Sequence, residues 1–204
     1  MTEQVITHTA LNRPEAFTQE ELGWHPWLPA PAAEDLTERQ HAGLVDRARA
    51  GSDYFRLLAR DPDILGARTR TDKDIFYNAK DGLPRAEREL AATATSRENG
   101  CVFCASVHAR FASHFSGRHE DVQRLLDEGT GAGLGKRWNA ITAAAAALAQ
   151  TPPQLTSAHL DALRNEGLDA LSLADVIHGS AFFNWANRLM LSLGEPGQAP
   201  GQRS

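Results

Sequence analysis

The sequence predicts an all-α fold, and three observations support this prediction. From about residue 34 onwards, apolar residues recur at the spacing of one helix face. Alternating runs of β-branched residues, which are typical of strands, are nearly absent. Capping residues, prolines and glycines divide the chain into segments of ordinary helix length. With 204 residues, the chain is long enough for one sizeable core, so we expect one helical domain over residues 34–194.

The segment before this domain, residues 1–33, is predicted to be an extended arm. Its stretch WHPWLPAP combines three prolines with two tryptophans. Proline disfavours regular helices, and a large aromatic ring gains most when it packs on an apolar surface. We therefore expect Trp24 and Trp27 to anchor the arm by packing.

Capping residues and prolines delimit the first three helices. Asp35 or Thr37 can cap a helix to about residue 50, because a side-chain oxygen there accepts a bond from a free backbone N–H. Asp53 opens a second helix, which ends at Asp61 because the residue before a proline avoids helical geometry. A third helix then runs from Pro62 to about residue 80.

The next two helices form a predicted hairpin. Gly82 ends the preceding segment, and Pro84 takes a first-turn position, where its missing N–H costs nothing. This helix should continue to about Glu98, where Asn-Gly breaks it. A core helix then begins at or just before Cys101 and runs to about residue 115. Both cysteines of the chain therefore lie at the turn of the hairpin.

The second half of the chain is predicted to hold four more helices. They cover about residues 118–128, residues 136–150, a segment that begins at Thr156 or Ser157, and residues 172–193. The stretch GTGAGLG follows a helix and lacks the Lys-Ser/Thr of a phosphate loop, so we interpret it as a connection. Gly-Leu turns before helices in both halves are compatible with two related helical halves. The tail, residues 195–204, is rich in glycine and proline and is expected to be disordered.

Composition and charge exclude several classes of function. The chain has 21 Lys and Arg against 26 Asp and Glu, a formal net charge of -5, and no concentrated basic stretch. Nucleic acid is therefore not an expected partner. The N-terminal stretch lacks the features of a secretory signal, and the longest apolar run, AITAAAAALA, is about half a membrane span. We expect a cytoplasmic protein that does not enter the membrane.

The stretch RENGCVFCASVH admits three interpretations: a metal clip, a pair of buried structural thiols, or a redox dithiol with its own base. On a helix, Cys101, Cys104 and His108 fall within a sector of about 60° and share one face. However, Cys101 and His108 are about 10 Å apart along the axis, whereas ligands of one zinc ion lie within about 4 Å of each other. A single metal held by all three is thus disfavoured.

The preceding helix supplies a carboxylate at the right height. If the turn is centred near Asn99 and Gly100, Glu89 precedes it and His108 follows it by about eight to ten residues, so the two side chains meet across the hairpin. Glu87 is rotated from Glu89 by about 200° and is predicted to face solvent. A carboxylate on one imidazole nitrogen fixes the tautomer and leaves the other free to take a proton from Cys104, one turn away.

Geometry also guides the assignment of the two thiols. A free thiol has a pKa of about 8.5, which a helix N-terminus or a nearby base can lower. We assign Cys104 as the attacking thiol and Cys101 as the more exposed, resolving thiol. The reverse order stays open, and so does an inert pair in the core. Other histidines have no comparable neighbours in the sequence: His114, His119, His159 and His178. Of these, His178 is the candidate for lining a cavity.

The segment GLPRAERELAATATSRENGCVFCASVHARFA resembles the core hairpin of the alkylhydroperoxidase D-like branch of the carboxymuconolactone decarboxylase superfamily. The matching signature consists of Glu89, Cys101, Cys104 and His108. The resemblance extends over residues 35–193, because ALRNEGLD and AFFNWANRLML are similar to the uncharacterised peroxidase-related members.

This resemblance implies an all-helical homo-oligomer, trimeric or hexameric, with peroxidase activity and no prosthetic group or metal. It implies that a hydroperoxide oxidises Cys104 to a sulfenic acid, that Cys101 then forms a disulfide with it, and that Glu89 and His108 relay protons. The implied reductant is a thiol, lipoyl-bearing or thioredoxin-like partner. Phe103 stands where the best-studied members have another histidine. Lactone decarboxylation is not expected, because that branch does not depend on the CxxC.

The leading hypothesis is therefore a thiol-dependent peroxidase that works through a Cys101–Cys104 dithiol. One alternative is a redox-sensing or metal-binding oligomeric protein without peroxidase turnover, in which cysteines of neighbouring chains meet. Another is an oligomeric scaffold with inert thiols.

Overall fold

The structure is a computed structural model that describes residues 4–78 and 80–198. Within these ranges the chain forms nine α-helices and one small two-stranded sheet. In chain order the elements are β1 (Leu22–Pro26), α1 (Glu38–Leu44), α2 (Asp53–Leu58), α3 (Pro62–Tyr77), α4 (Arg85–Glu98), α5 (Val102–Ser116), α6 (His119–Glu128), α7 (Lys136–Ala149), α8 (Ser157–Asn165), α9 (Ala170–Leu193) and β2 (Gly194–Gln198). The all-α prediction is confirmed. None of the helices in the described ranges is both long and apolar enough to cross a membrane.

The first helix shows how local sequence sets an element's limits. Of the two predicted caps, Thr37 is the one that caps α1, in a capping box with Gln40. The other, Asp35, lies in a preceding 3-10 turn. The helix stops at Leu44, earlier than predicted, because Val45 has a positive φ of 63°. A separate 3-10 turn, residues 47–51, replaces the predicted last turn of this helix.

The sheet joins the two ends of the chain. Strand β1 pairs with β2 in antiparallel register, with Trp24 opposite Pro196. The disorder predicted for the tail is therefore wrong for residues 195–198, whereas residues 199–204 lie outside the described ranges. The backbone of this segment hydrogen-bonds to β1. Gly194 packs directly on the Trp24 ring, where a Cβ would come within 2.4 Å of a ring carbon. Arg13 also pairs with Glu195 at 2.6 Å.

The α4–α5 hairpin lies at the centre of the molecule. Helix α4 packs against α5, α7 and α9. Small side chains such as Ala91 and Ala109 lie in the main hydrophobic core and allow close approach of the helices. The prediction that Glu87 faces solvent is wrong. Glu87 is only 8 % exposed and accepts bonds from Nε and Nη2 of Arg137, each at 2.7 Å, because α7 covers this side of α4.

Candidate active site

The expected contact across the hairpin is present. Nδ1 of His108 lies 2.5 Å from Oε2 of Glu89. Glu89 is 1 % exposed and His108 is 8 % exposed, so water does not weaken the interaction. Because Nδ1 faces the carboxylate, Nε2 is the nitrogen available for proton exchange.

Two aromatic rings and one arginine hold this pair in place. The imidazole of His108 lies against Phe76, with ring centres 5.2 Å apart, and against Phe183, with ring centres 4.1 Å apart. Arg85 donates from Nε to Oε1 of Glu89 at 2.6 Å and from Nη1 to the backbone carbonyl of Phe76 at 2.6 Å. The sequence reasoning missed Arg85, although its position four residues before Glu89 on a helix was a usable signal.

Both cysteines are free thiols, and both are buried. Cys101 is the N-cap residue of α5, and its backbone N–H donates to the carbonyl of Ser96 at 2.9 Å. The expectation that Cys101 is the more exposed thiol is wrong: Cys101 is 2 % exposed and Cys104 is 6 % exposed. The tight turn folds Cys101 back onto the end of α4, and Asn187 of α9 contacts it from the other side.

The two thiols hydrogen-bond to each other, with opposite effects on their acidity. The hydrogen bond from the Cys104 thiol lowers the pKa of Cys101. The same hydrogen bond, together with burial, raises the pKa of Cys104 well above its usual value. The two thiols therefore titrate as a pair. The first proton is lost from the pair as a whole, and the remaining proton is shared by the two sulfur atoms.

Asn187 is a further polar neighbour of both sulfur atoms, and the sequence reasoning missed it. Its oxygen Oδ1 accepts a bond from Asn99 at 3.0 Å, and its Nδ2 donates to the hydroxyl of Ser96 at 3.0 Å. These bonds orient the amide so that its NH2 group faces the thiols. The hydrogen bond from Asn187 acts to lower the pKa of each cysteine, as expected for a donor to a thiolate.

A cavity of about 810 Å³ opens beside Cys104. Glu89 and His108 line it as well, whereas Cys101 lies beneath Cys104 and outside the lining. The rest of the wall includes eight Trp, Tyr and Phe side chains, namely Trp24, Tyr54, Phe55, Phe76, Tyr77, Phe103, Phe111 and Phe183, beside several charged residues. The volume is in the range of small-molecule sites. Cys104 is therefore the thiol that a ligand in the cavity meets.

The other candidate residues lie elsewhere or play other parts. Phe103 lines the cavity as an apolar group and offers no proton-transfer atom. His178 is exposed rather than cavity-lining, and His159 forms the capping box of α8 with Thr156. Within residues 4–78 and 80–198, no group of three or more His, Cys, Asp and Glu side chains is arranged to hold a metal ion.

Comparison with known proteins agrees with this picture of the fold. Residues 62–147 match the family model described as the carboxymuconolactone decarboxylase family. No curated protein sequence matches the chain significantly.

Several solved structures share the fold. An uncharacterised peroxidase-related protein with an alkylhydroperoxidase AhpD core, from Ralstonia eutropha JMP134, is 23% identical over 81% of this chain and 88% of its own, with a TM-score of 0.69. An uncharacterised peroxidase-related protein from Silicibacter sp. TM1040 is also 23% identical, over 82% of this chain and 90% of its own, with a TM-score of 0.68. The debrominase Bmp8 is 18% identical over 80% of this chain and 88% of its own, with a TM-score of 0.65. A variant of Bmp8 with a cysteine replaced by alanine has been solved with 2,3,4-tribromopyrrole.

Proposed function

Since residues 62–147 match the model of the carboxymuconolactone decarboxylase family and the fold is similar to that of a solved protein with an AhpD core, we propose that the chain is a thiol-dependent peroxidase. One observation carries this proposal. Cys104 faces a cavity that it shares with the Glu89–His108 pair, and a second free thiol, Cys101, hydrogen-bonds to it without lining the cavity. This is the arrangement that a peroxidase with one attacking and one resolving thiol needs.

In the first step the Cys104 thiolate attacks one oxygen of a hydroperoxide. The hydrogen bond between the thiols lets their shared proton move to Cys101, so that Cys104 carries the charge when it reacts. A sulfur–oxygen bond forms as the oxygen–oxygen bond breaks, and the sulfur is oxidised to a sulfenic acid. His108 takes the first proton of the thiol pair on Nε2, and Glu89 stabilises the resulting imidazolium through Nδ1. His108 then gives this proton to the leaving alkoxide, which departs as the alcohol.

In the second step Cys101 attacks the sulfur of oxidised Cys104. The sulfur–sulfur bond forms, the sulfur–oxygen bond breaks, and the hydroxyl group leaves as water with the proton that Cys101 gives up. A dithiol then reduces the disulfide by thiol exchange, and we propose a thiol, lipoyl-bearing or thioredoxin-like reductant.

We also propose that the protein is a trimeric or hexameric homo-oligomer. The exposed side chains of Tyr77, Phe111 and Phe115 lie on a surface that such an oligomer would bury.

Removal of bromine from an aromatic substrate is a second candidate, because the cavity beside Cys104 has an aromatic wall and the similarly folded Bmp8 is a debrominase. The electron balance resembles that of the peroxidase reaction. The two thiols supply two electrons and a proton, a carbon–hydrogen bond replaces the carbon–bromine bond, and bromide leaves. A redox sensor, a metal-binding protein and a scaffold with inert thiols are the remaining alternatives, and none of them would show turnover.

The test is turnover by the reduced protein with dithiothreitol as the dithiol. Cumene hydroperoxide and a tribromopyrrole are supplied in parallel, and loss of hydroperoxide and release of bromide are measured. We expect consumption of hydroperoxide that Cys104→Ser abolishes. Bromide release without hydroperoxide consumption would replace the peroxidase by a dehalogenase, and no turnover with either compound would leave a sensor or scaffold.

A further inference from the structure

A second set of polar side chains lines the same cavity, and it has no role in the reaction described above. Among the buried atoms without a hydrogen-bond partner are the hydroxyl of Tyr54, Nε and Nη1 of Arg68, and Nη1 of Arg49. All three residues line the cavity. Tyr54 is 7 % exposed and Arg68 is 9 % exposed. Buried donors are normally satisfied, so a cluster of unsatisfied ones at a cavity wall points to an absent acceptor.

The charge of this cluster is also unbalanced. Asp72 is shared by the two arginines: its Oδ2 lies 3.2 Å from Nη2 of Arg49 and 3.5 Å from Nη1 of Arg68. Asp53, a further carboxylate at the cavity, is paired with Arg56. Two guanidinium groups share one carboxylate, so among the residues that the structure describes one of the two charges has no carboxylate of its own. Water can accept bonds from the N–H groups, but it cannot neutralise a buried charge, which is costly to leave unpaired.

We propose that Arg68 and Tyr54, with Arg49 beside them, form a binding subsite for a carboxylate of the substrate. A carboxylate is planar, matches the fork of a guanidinium group and offers about four acceptor positions. The unsatisfied atoms are three guanidinium nitrogens and one hydroxyl, and one carboxylate offers acceptor positions to several of them at once.

Aromatic packing fixes the subsite before a ligand arrives. The guanidinium carbon of Arg68 lies 5.3 Å from the ring centres of both Phe55 and Phe182. The ring of Tyr54 packs edge-on against Trp24, with centres 5.3 Å apart. Because these side chains are already held, little conformational freedom is lost on binding.

The position of the subsite defines the class of ligand. The charge of Arg68 is near enough to act on the Cys104 thiol, and both residues face one aromatic cavity. A fitting ligand has a carboxylate for Arg68, an apolar body for the aromatic wall, and a reactive group that reaches Cys104. Under the proposed peroxidase function, which this last step assumes, the substrate is an apolar acid that carries a hydroperoxide group.

The experiment measures binding without turnover. Isothermal titration calorimetry of the reduced full-length protein at neutral pH compares hexanoate with 1-hexanol, which has the same chain and no charge. We expect hexanoate to bind the wild type more tightly. Arg68→Met should weaken hexanoate binding about tenfold or more, and Tyr54→Phe several-fold, because bonds to a charged group are lost. Binding of 1-hexanol should not change. Arg70→Met, which removes the same charge from an exposed position of α3, is the matched control and should bind like the wild type.

Thermal unfolding separates a binding role from a structural one. Arg68→Met removes an unbalanced buried charge, so its unfolding midpoint should equal or exceed that of the wild type. A lower midpoint with unchanged hexanoate binding would show that Arg68 is structural and would overturn the proposal. Equal affinity of the wild type for hexanoate and 1-hexanol would overturn it as well. A protein that binds hexanoate but consumes no hydroperoxide overturns the peroxidase function and leaves the subsite standing.

Discussion

Replacing Glu89 with glutamine separates the chemical role of its charge from its role in packing. The carboxylate receives hydrogen bonds from Arg85 at 2.6 Å and from His108 at 2.5 Å, at 1 % exposure. Glutamine keeps the shape and one acceptor but leaves Arg85 without its counter-charge. Breaking a buried ion pair costs about 3–5 kcal/mol. Since Arg85 keeps its bond to the carbonyl of Phe76, we expect the lower end of that range.

The expected effect on activity is much larger than the loss of stability would explain. Without the carboxylate, His108 loses the partner that fixes its tautomer and balances its charge when it is protonated. General acid–base catalysis contributes about 10²–10⁴-fold, so kcat/KM for hydroperoxide should fall within that range. A typical domain is stable by about 5–15 kcal/mol, so the variant should be folded when its activity is measured.

Glu87→Gln is the matched control, because it removes a second buried carboxylate from the same helix. Glu87 accepts two bonds at 2.7 Å from Arg137 and does not line the cavity. Urea unfolding should show comparable losses of stability for the two variants, while hydroperoxide consumption falls only for Glu89→Gln. The reasoning is refuted if folded Glu89→Gln is as active as the wild type, or if Glu87→Gln loses as much activity.

Three further predictions concern the thiols. Peroxide treatment of Cys101→Ser should leave a sulfenic acid on Cys104, detectable by dimedone labelling and mass spectrometry; labelling absent there but present on Cys101 in Cys104→Ser would reverse the assigned roles. Because the hydrogen bond from Cys104 lowers the pKa of Cys101, the rate of peroxide reaction should reach half its plateau below the free-thiol value of about 8.5 and fall as pH decreases through that midpoint. A midpoint at or above the free-thiol value would contradict this. Asn187→Ala should shift the midpoint upward by about 1 unit, since a bond to a charged group is worth about 1.5–3 kcal/mol, and an unshifted midpoint would show that the amide does not stabilise the thiolate.

The hairpin and its Glu89–His108 contact can be predicted from the sequence because both depend on local geometry. Helix rise and a turn near Asn99 place Glu89 and His108 at one height, and the contact is found at 2.5 Å. The cap at Thr37 follows equally local rules.

The errors arose where a third element decides the environment. The prediction that Glu87 faces solvent follows from the α4–α5 hairpin alone, but α7 brings Arg137 to that side of α4. Cys101 is predicted to be the more exposed of the two thiols, but the turn and Asn187 of α9 enclose it. Arg68 lies in a polar stretch of α3 whose composition is typical of a solvent-exposed helix face, and only the tertiary fold buries it.

Strand β2 shows a different limit of the sequence. GEPGQ has the composition of a disordered segment, yet it pairs with β1, which lies more than 150 residues earlier in the chain. Backbone hydrogen bonds drive such pairing, and they leave little trace in the side chains of a short strand.

The most direct test of the account is the thiol count of the native protein before and after one equivalent of hydrogen peroxide, combined with mass spectrometry of the peptide that contains Cys101 and Cys104. The account predicts rapid loss of both thiols and a peptide that is lighter by two hydrogen atoms, which identifies the internal disulfide. Two thiols that stay reduced and unmodified would contradict it.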